Sequence, residues 1–177
     1  MFIHLLAGSL TFLLLGRVLN IEINGAFLLL GGFLGLAPDL TSYILSRGIK
    51  FNKWTHIHRD NLSHSVFFPV LVLIAVSFFD LKLAIVASVA VLTHPLFNLF
   101  GIGWGVKLFY PFSNKTYKMF YQGRFLTVWE QKEVENEAER SGDDNWVKNI
   151  YFKPSLAGIL EWLFLIAFLL LVIVSWR

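Results

Sequence analysis

The chain has 177 residues, of which 56% are hydrophobic, including 18 Phe and no Cys, and its mean hydropathy is +0.62. Soluble domains carry about 45–50% apolar residues even when Gly is counted, so the composition excludes an ordinary soluble domain and implies one integral membrane domain over 1–177. The lack of Cys excludes disulfides and thiolate metal sites, and a net charge of only +3 speaks against nucleic acid as a partner.

A spanning helix needs about 20 apolar residues. The first apolar run covers 2–19 and is broken late by Arg17. The second, 25–40, is rich in Gly and is expected to end at Pro38-Asp39. A polar segment over 41–64 follows. The third run, 65–79, is short for a span, and Asp80-Leu81-Lys82 reads as a tight turn into the fourth, 83–100. The second polar segment, 101–154, contains an acidic stretch over 129–140 that reads as a surface helix, closed by Ser141-Gly142-Asp143-Asp144-Asn145 as a turn. The fifth run, 155–176, is the cleanest. The expected fold is therefore all-α: a membrane bundle of about five transmembrane helices with a polar subdomain on one side.

With five spans, the N-terminus and both long loops, 41–64 and 101–154, share that side. It carries twelve of the fifteen Lys and Arg residues. The positive-inside rule makes it cytoplasmic.

The ionisable residues of the apolar runs fall at the same rim. His4 opens the first run and Asp39 closes the second. His56, His58 and His64 precede the third, His94 lies late in the fourth, and Glu161 lies early in the fifth. Ionisable groups are costly in a bilayer and are usually functional there. Each has a plainer reading as well. His4 alone is an ordinary interfacial residue, His56 a loop residue, and Asp39 a turn residue after Pro38. His58 and His64 are six apart and cannot share a helix face, so the chain must turn between them, with Asn61 or Ser63 as the cap. His94 and Asn98 are i and i+4 and share a face. His and Asp from separate elements form a ligand set for Zn²⁺ and similar ions.

At these residues the chain resembles the YdjM-like family, LexA-regulated, metal-dependent hydrolases of prokaryotic inner membranes. The resemblance rests on His4, on Pro38-Asp39-Leu40-Thr41, and on His58-Arg59-Asp60-Asn61-Leu62-Ser63-His64-Ser65. It continues through His94-Pro95-Leu96-Phe97-Asn98 and Gly105-Val106-Lys107-Leu108-Phe109-Tyr110-Pro111-Phe112, over roughly residues 1–120. Thr41 and Asn98 stand where the family pattern has Asp.

The resemblance implies a divalent metal, Zn²⁺ first with Mn²⁺ or Mg²⁺ as alternatives, held by His4, Asp39, His58, His64 and His94, with Asn98 offering a neutral oxygen. It implies hydrolysis of a phosphoester or lipid-headgroup substrate by metal-activated water. Arg59 is the candidate phosphate partner, with headgroup anchoring as its plainer role. Asp60 and Glu161 are candidates for general base or for orienting the ligands. Membrane lipid is the expected partner, met by an interfacial belt of Lys50, Lys53 and Lys107 with Trp54, Trp104, Phe109 and Tyr110. A homo-oligomer stays open. The rival expectation is a non-enzymatic divalent-metal-binding or scaffold protein, which the two missing carboxylates favour.

Overall fold

The computed structural model describes residues 2–45, 47–101 and 103–176. Its elements in order are α1 (Phe2–Val18), α2 (Gly25–Leu45), two 3-10 turns (Thr55–Arg59 and Leu62–His64), α3 (Phe67–Ser77) and α4 (Leu81–Phe100). Then come β1 (Thr116–Tyr121), β2 (Arg124–Trp129), α5 (Gln131–Ser141), a π-helical turn (Lys148–Phe152) and α6 (Leu156–Val174).

Three helices, α2, α4 and α6, are long and apolar enough to cross a membrane; α1 and α3 are shorter apolar helices. α1 packs on α2, α4 and α6, and α3 packs on α4. Phe12, Leu28, Val86, Ala90 and Phe168 meet in the core. Small residues set the α1–α2 spacing, as at many membrane helix contacts. A Cβ on Gly8 would lie 2.0 Å from the Gly31 carbonyl oxygen, and one on Gly35 would lie 2.1 Å from that of His4. This crossing brings the start of α1 beside the late part of α2.

Two expectations are corrected. α2 does not stop at Pro38-Asp39 but continues to Leu45 with Pro38 inside it. Proline removes one N–H from the ladder, and a membrane helix tolerates this where neighbours satisfy the freed groups. Separately, Ser63 Oγ donates to the Pro38 carbonyl and ties α2 to the second 3-10 turn. The fold is also not all-α. β1 and β2 form an antiparallel hairpin with Thr116 opposite Trp129 and Tyr121 opposite Arg124. Val106 extends it, bridging to Tyr117. The strands suit β structure because they are rich in aromatic residues. The bridge also requires Gly105, which has φ +84° and where a Cβ would meet the Tyr117 carbonyl oxygen at 2.1 Å.

The remaining local expectations hold in outline. Asp80 N-caps α4, its Oδ1 accepting from the Leu83 N–H; the turn lies at Phe78, Phe79 and Asp80, and Leu81 and Lys82, expected in it, already belong to α4. The acidic stretch forms α5, opened by a capping box of Glu130 and Glu133 and held to the hairpin by Tyr121 Oη donating to Glu137.

Candidate metal centre

Asp39 sits one residue after Pro38 on α2, near the start of α1 and the late turns of α4. The two 3-10 turns fold over it. Asn61 positions them: its Oδ1 accepts from the Ser63 N–H, and its Nδ2 donates to the His58 carbonyl and to Ser42 Oγ of α2. His58 and His64 thus reach one point from opposite sides of a capped turn.

The Nε2 atoms of His58, His64 and His94 each lie 3.3 Å from the same oxygen, Asp39 Oδ1. Asp39, His58 and His64 each offer a ligand atom, all within 4.8 Å of one another. His64 and His94 are fully buried, and His58 is nearly so. Three ring nitrogens crowd one oxygen that has two lone pairs. The opposite ring nitrogens carry backbone bonds of their own. His94 Nδ1 donates to the Gly35 carbonyl oxygen at 2.8 Å, and His58 Nδ1 donates to that of Thr55. A carbonyl only accepts, so both rings carry a proton on Nδ1, and whenever such a ring is neutral its Nε2 presents a bare lone pair. Two lone pairs facing a carboxylate repel unless a cation lies between them. Histidine metal ligands are commonly oriented by such a bond on the far nitrogen. His94 Nε2 has no hydrogen-bond partner among the described residues.

Distances agree. Ligand atoms ~2.0–2.1 Å from a tetrahedral Zn²⁺ lie roughly 3.3–3.4 Å from one another. Burial pushes the His64 imidazole down to about 3, outweighing the pull of Asp39, so this ring is neutral and competent to bind an ion at physiological pH. Ser42 and Ser63 hydroxyls contact His64 Nδ1 at 3.2 and 3.1 Å. The donor set therefore fits a divalent cation bound through nitrogen and oxygen.

The other expected residues fall around this core. His4 stacks on His94 with ring centroids 3.8 Å apart, and its Nδ1 has no partner among the described residues. Asn98, one turn beyond His94, is buried, and its Nδ2 is likewise unpaired. Arg59 lies against Gly103 and Gly105. Its guanidinium reaches the Gly105 carbonyl oxygen only at 3.5 Å, and its Nε has no partner among the described residues. Burial lowers its pKa, while Asp39 opposes that shift. Asp60 pairs with the buried Lys107 at 3.1 Å. Lys107 is thus withdrawn from the interfacial belt. Glu161 accepts from the Phe2 and Ile3 N–H groups, capping α1 beside His4. His56 is buried with both ring nitrogens unpaired among the described residues, and its surroundings are Asp60, Lys53, Arg59 and Glu135. None of its described contacts reaches Asp39.

Sequence reasoning missed Lys118. It lies on β1, buried, with Nζ donating to the Gly101 carbonyl. Burial, then Arg59, pushes it down to about 8.

A family model described as YdjM inner membrane protein matches residues 1–177, the whole chain. This agrees with the resemblance carried by the motifs. No curated protein and no solved structure matches the chain.

Proposed function

The chain belongs to the YdjM inner membrane protein family, and we propose that it is a metal-dependent hydrolase of a phosphoester or lipid-headgroup substrate, working at the membrane rim. The observation that supports this most directly is the meeting of three histidine Nε2 atoms on Asp39 Oδ1 at 3.3 Å, with two of the rings locked as Nδ1–H by backbone carbonyls.

In this reading Asp39, His58, His64 and His94 hold the ion, Zn²⁺ first, with His4 and Asn98 beside them. A divalent cation supplies Lewis acidity there and lowers the pKa of water from 15.7 toward ~7. The residues of the chain do the rest. Gly35 and Thr55 carbonyls fix the imidazole tautomers. Arg59, part-buried, and Lys118, buried, put two cations near the site, and Arg59 Nε keeps donor capacity for a phosphate oxygen, being unpaired among the described residues. The apolar helices keep the dielectric low, which strengthens these interactions. The charge bias of the polar segments favours an N-terminus and site facing the cytoplasm.

A non-enzymatic metal-binding or scaffold role is the second reading. Asp60 is neutralised by Lys107 and Glu161 is engaged at the α1 terminus, so neither stands ready as a general base. Thr41 and Asn98 remove two further carboxylates.

Metal analysis of the detergent-purified protein, with a phosphoester and lipid hydrolysis screen run with and without Zn²⁺ or Mn²⁺, separates the two. Bound metal with hydrolysis that is lost in His64→Ala supports the enzyme. Bound metal without turnover supports the second reading. Absence of metal, with stability unchanged by chelator, overturns both.

A further inference from the structure

We propose that the β1–β2 hairpin is a membrane-docking element, seated in the headgroup–acyl boundary of the bilayer beside α4. Its strands have two unlike faces. Thr116, Lys118 and Thr127 are buried, and the register pairs Lys118 with Thr127. Side chains alternate along a strand, so Tyr117, Met119, Leu126 and Val128 share the opposite face, where Leu126 and Val128 are exposed. At the turn end Phe120 is 64% exposed and Phe125 66%. A two-stranded hairpin is marginal in water by itself, and one that shows this much apolar surface needs a cover.

The surface is continuous with a helix that spans. Phe100, the last residue of α4, is exposed and packs on Phe120 with ring centroids 5.9 Å apart; Phe120 in turn meets Phe125 at 5.3 Å. Along α4 the exposed residues Leu81, Ile85, Leu96 and Phe100 recur at helical spacing and form one lipid-facing stripe. That stripe runs onto the hairpin through the three Phe rings. Phe120 also sits at φ 53°, a left-handed backbone in which a bulky side chain is unfavourable, so the ring stands where Gly would be unstrained.

Charge selects lipid as the cover. Arg124 at the turn is exposed beside Phe125, a pairing suited to an anionic headgroup layer. The acidic residues are gathered on α5, which the Tyr121–Glu137 bond ties to the hairpin, so the exposed aromatic tip carries the basic Arg124 and no carboxylate of its own. The hairpin's inner face carries Lys118, which bonds the Gly101 carbonyl at the end of α4. Docking would therefore also brace the loop against which Arg59 rests. The inference is independent of whether the centre binds metal.

The chain has no Cys, so single cysteines report cleanly. Phe120→Cys, Phe125→Cys and Glu139→Cys variants are labelled with an environment-sensitive fluorophore in nanodiscs of phosphatidylethanolamine and phosphatidylglycerol; 120 and 125 lie in the contiguous aromatic tip, and 139 is exposed on α5. Labels at 120 and 125 are expected to lose fluorescence to shallow spin-labelled lipid and to resist aqueous iodide, while the label at 139 does the reverse. Two positions guard against one variant failing to fold. Iodide quenching at 120 and 125 equal to that at 139 overturns the proposal. So does protection from both quenchers, which would mean that a second protein surface covers the face.

Discussion

His94 Nδ1 donates to the Gly35 carbonyl oxygen at 2.8 Å, and Gly35 is also where α1 comes closest to α2, a Cβ there lying 2.1 Å from the His4 carbonyl oxygen. One glycine thus sets both the helix crossing and the tautomer of a metal-type histidine. Gly35→Ala is expected to push α1 off α2 and to shift the acceptor of His94. Overpacking costs about 1–3 kcal/mol, so a lower midpoint of thermal unfolding should accompany a loss of bound Zn²⁺. Full metal occupancy with a lowered midpoint would separate the packing role from the orienting one.

Binding of an ion to the folded chain alone must raise stability. At free Zn²⁺ about 100-fold above Kd the gain is ~2.7 kcal/mol, which for a chain of this size is roughly 5–10 °C in unfolding midpoint. Chelator is expected to remove that gain from the unmodified protein and to leave His58→Ala and His64→Ala almost unaffected, because each removes a nitrogen from the compact Asp39–His58–His64 group. A chelator shift of equal size in these variants would place the ion elsewhere.

Asn61 carries four of the bonds that fold the histidine turns, to the Ser63 N–H and Oγ, the His58 carbonyl and Ser42 Oγ. Asn61→Ala removes a cap worth about 1 kcal/mol. It also frees His58 and His64 to move apart, and loss of such orienting groups typically weakens metal affinity about 10–100-fold. Asn61→Asp keeps the Oδ1 acceptor and should preserve the Ser63 cap while losing both Nδ2 donations. Competition with a metallochromic dye is expected to rank affinity as unmodified, then Asp, then Ala.

Much of the centre was legible because the bilayer makes ionisable residues rare. His4, Asp39, His58, His64 and His94 stand out against apolar runs, and their positions along those runs place them near one rim. Asp39 was legible as a ligand candidate, although its helix was expected to end there. That expectation follows the rule that proline ends a ladder, which membrane helices relax where neighbours meet the freed groups; α2 runs on to Leu45. The acceptors on Gly35 and Thr55 could not be read, since a backbone carbonyl has no residue identity. The Asp60–Lys107 pair joins residues 47 positions apart, with no local signal. The hairpin did leave a signal in its aromatic strands and in Gln122-Gly123, both at positive φ, but it lies in a segment whose polar residues dominated the reading.

Lys118 gives a pH dependence close to neutrality and outside the metal ligands. Its amine is pushed down to about 8 from 10.5, by burial first and then by Arg59. A base whose folded pKa lies below its unfolded pKa is destabilising while charged. The penalty is complete below pH 8, shrinks as pH rises, and is gone above 10.5, where both states are neutral. Lys118→Met removes the charge, so its stability relative to the unmodified protein should be greatest at neutral pH and should fall between about pH 8 and 10.5. Since the site is part-solvated, the pH-dependent part is roughly 1–2 kcal/mol after allowance for screening. Loss of the bond to Gly101 adds a constant offset, so the change across that window, read from unfolding midpoints, is the diagnostic quantity. A flat difference would mean that the amine is solvated. A sloping one would show that the fold holds a cation beside Arg59 at a cost to stability, which is expected where positive charge serves binding.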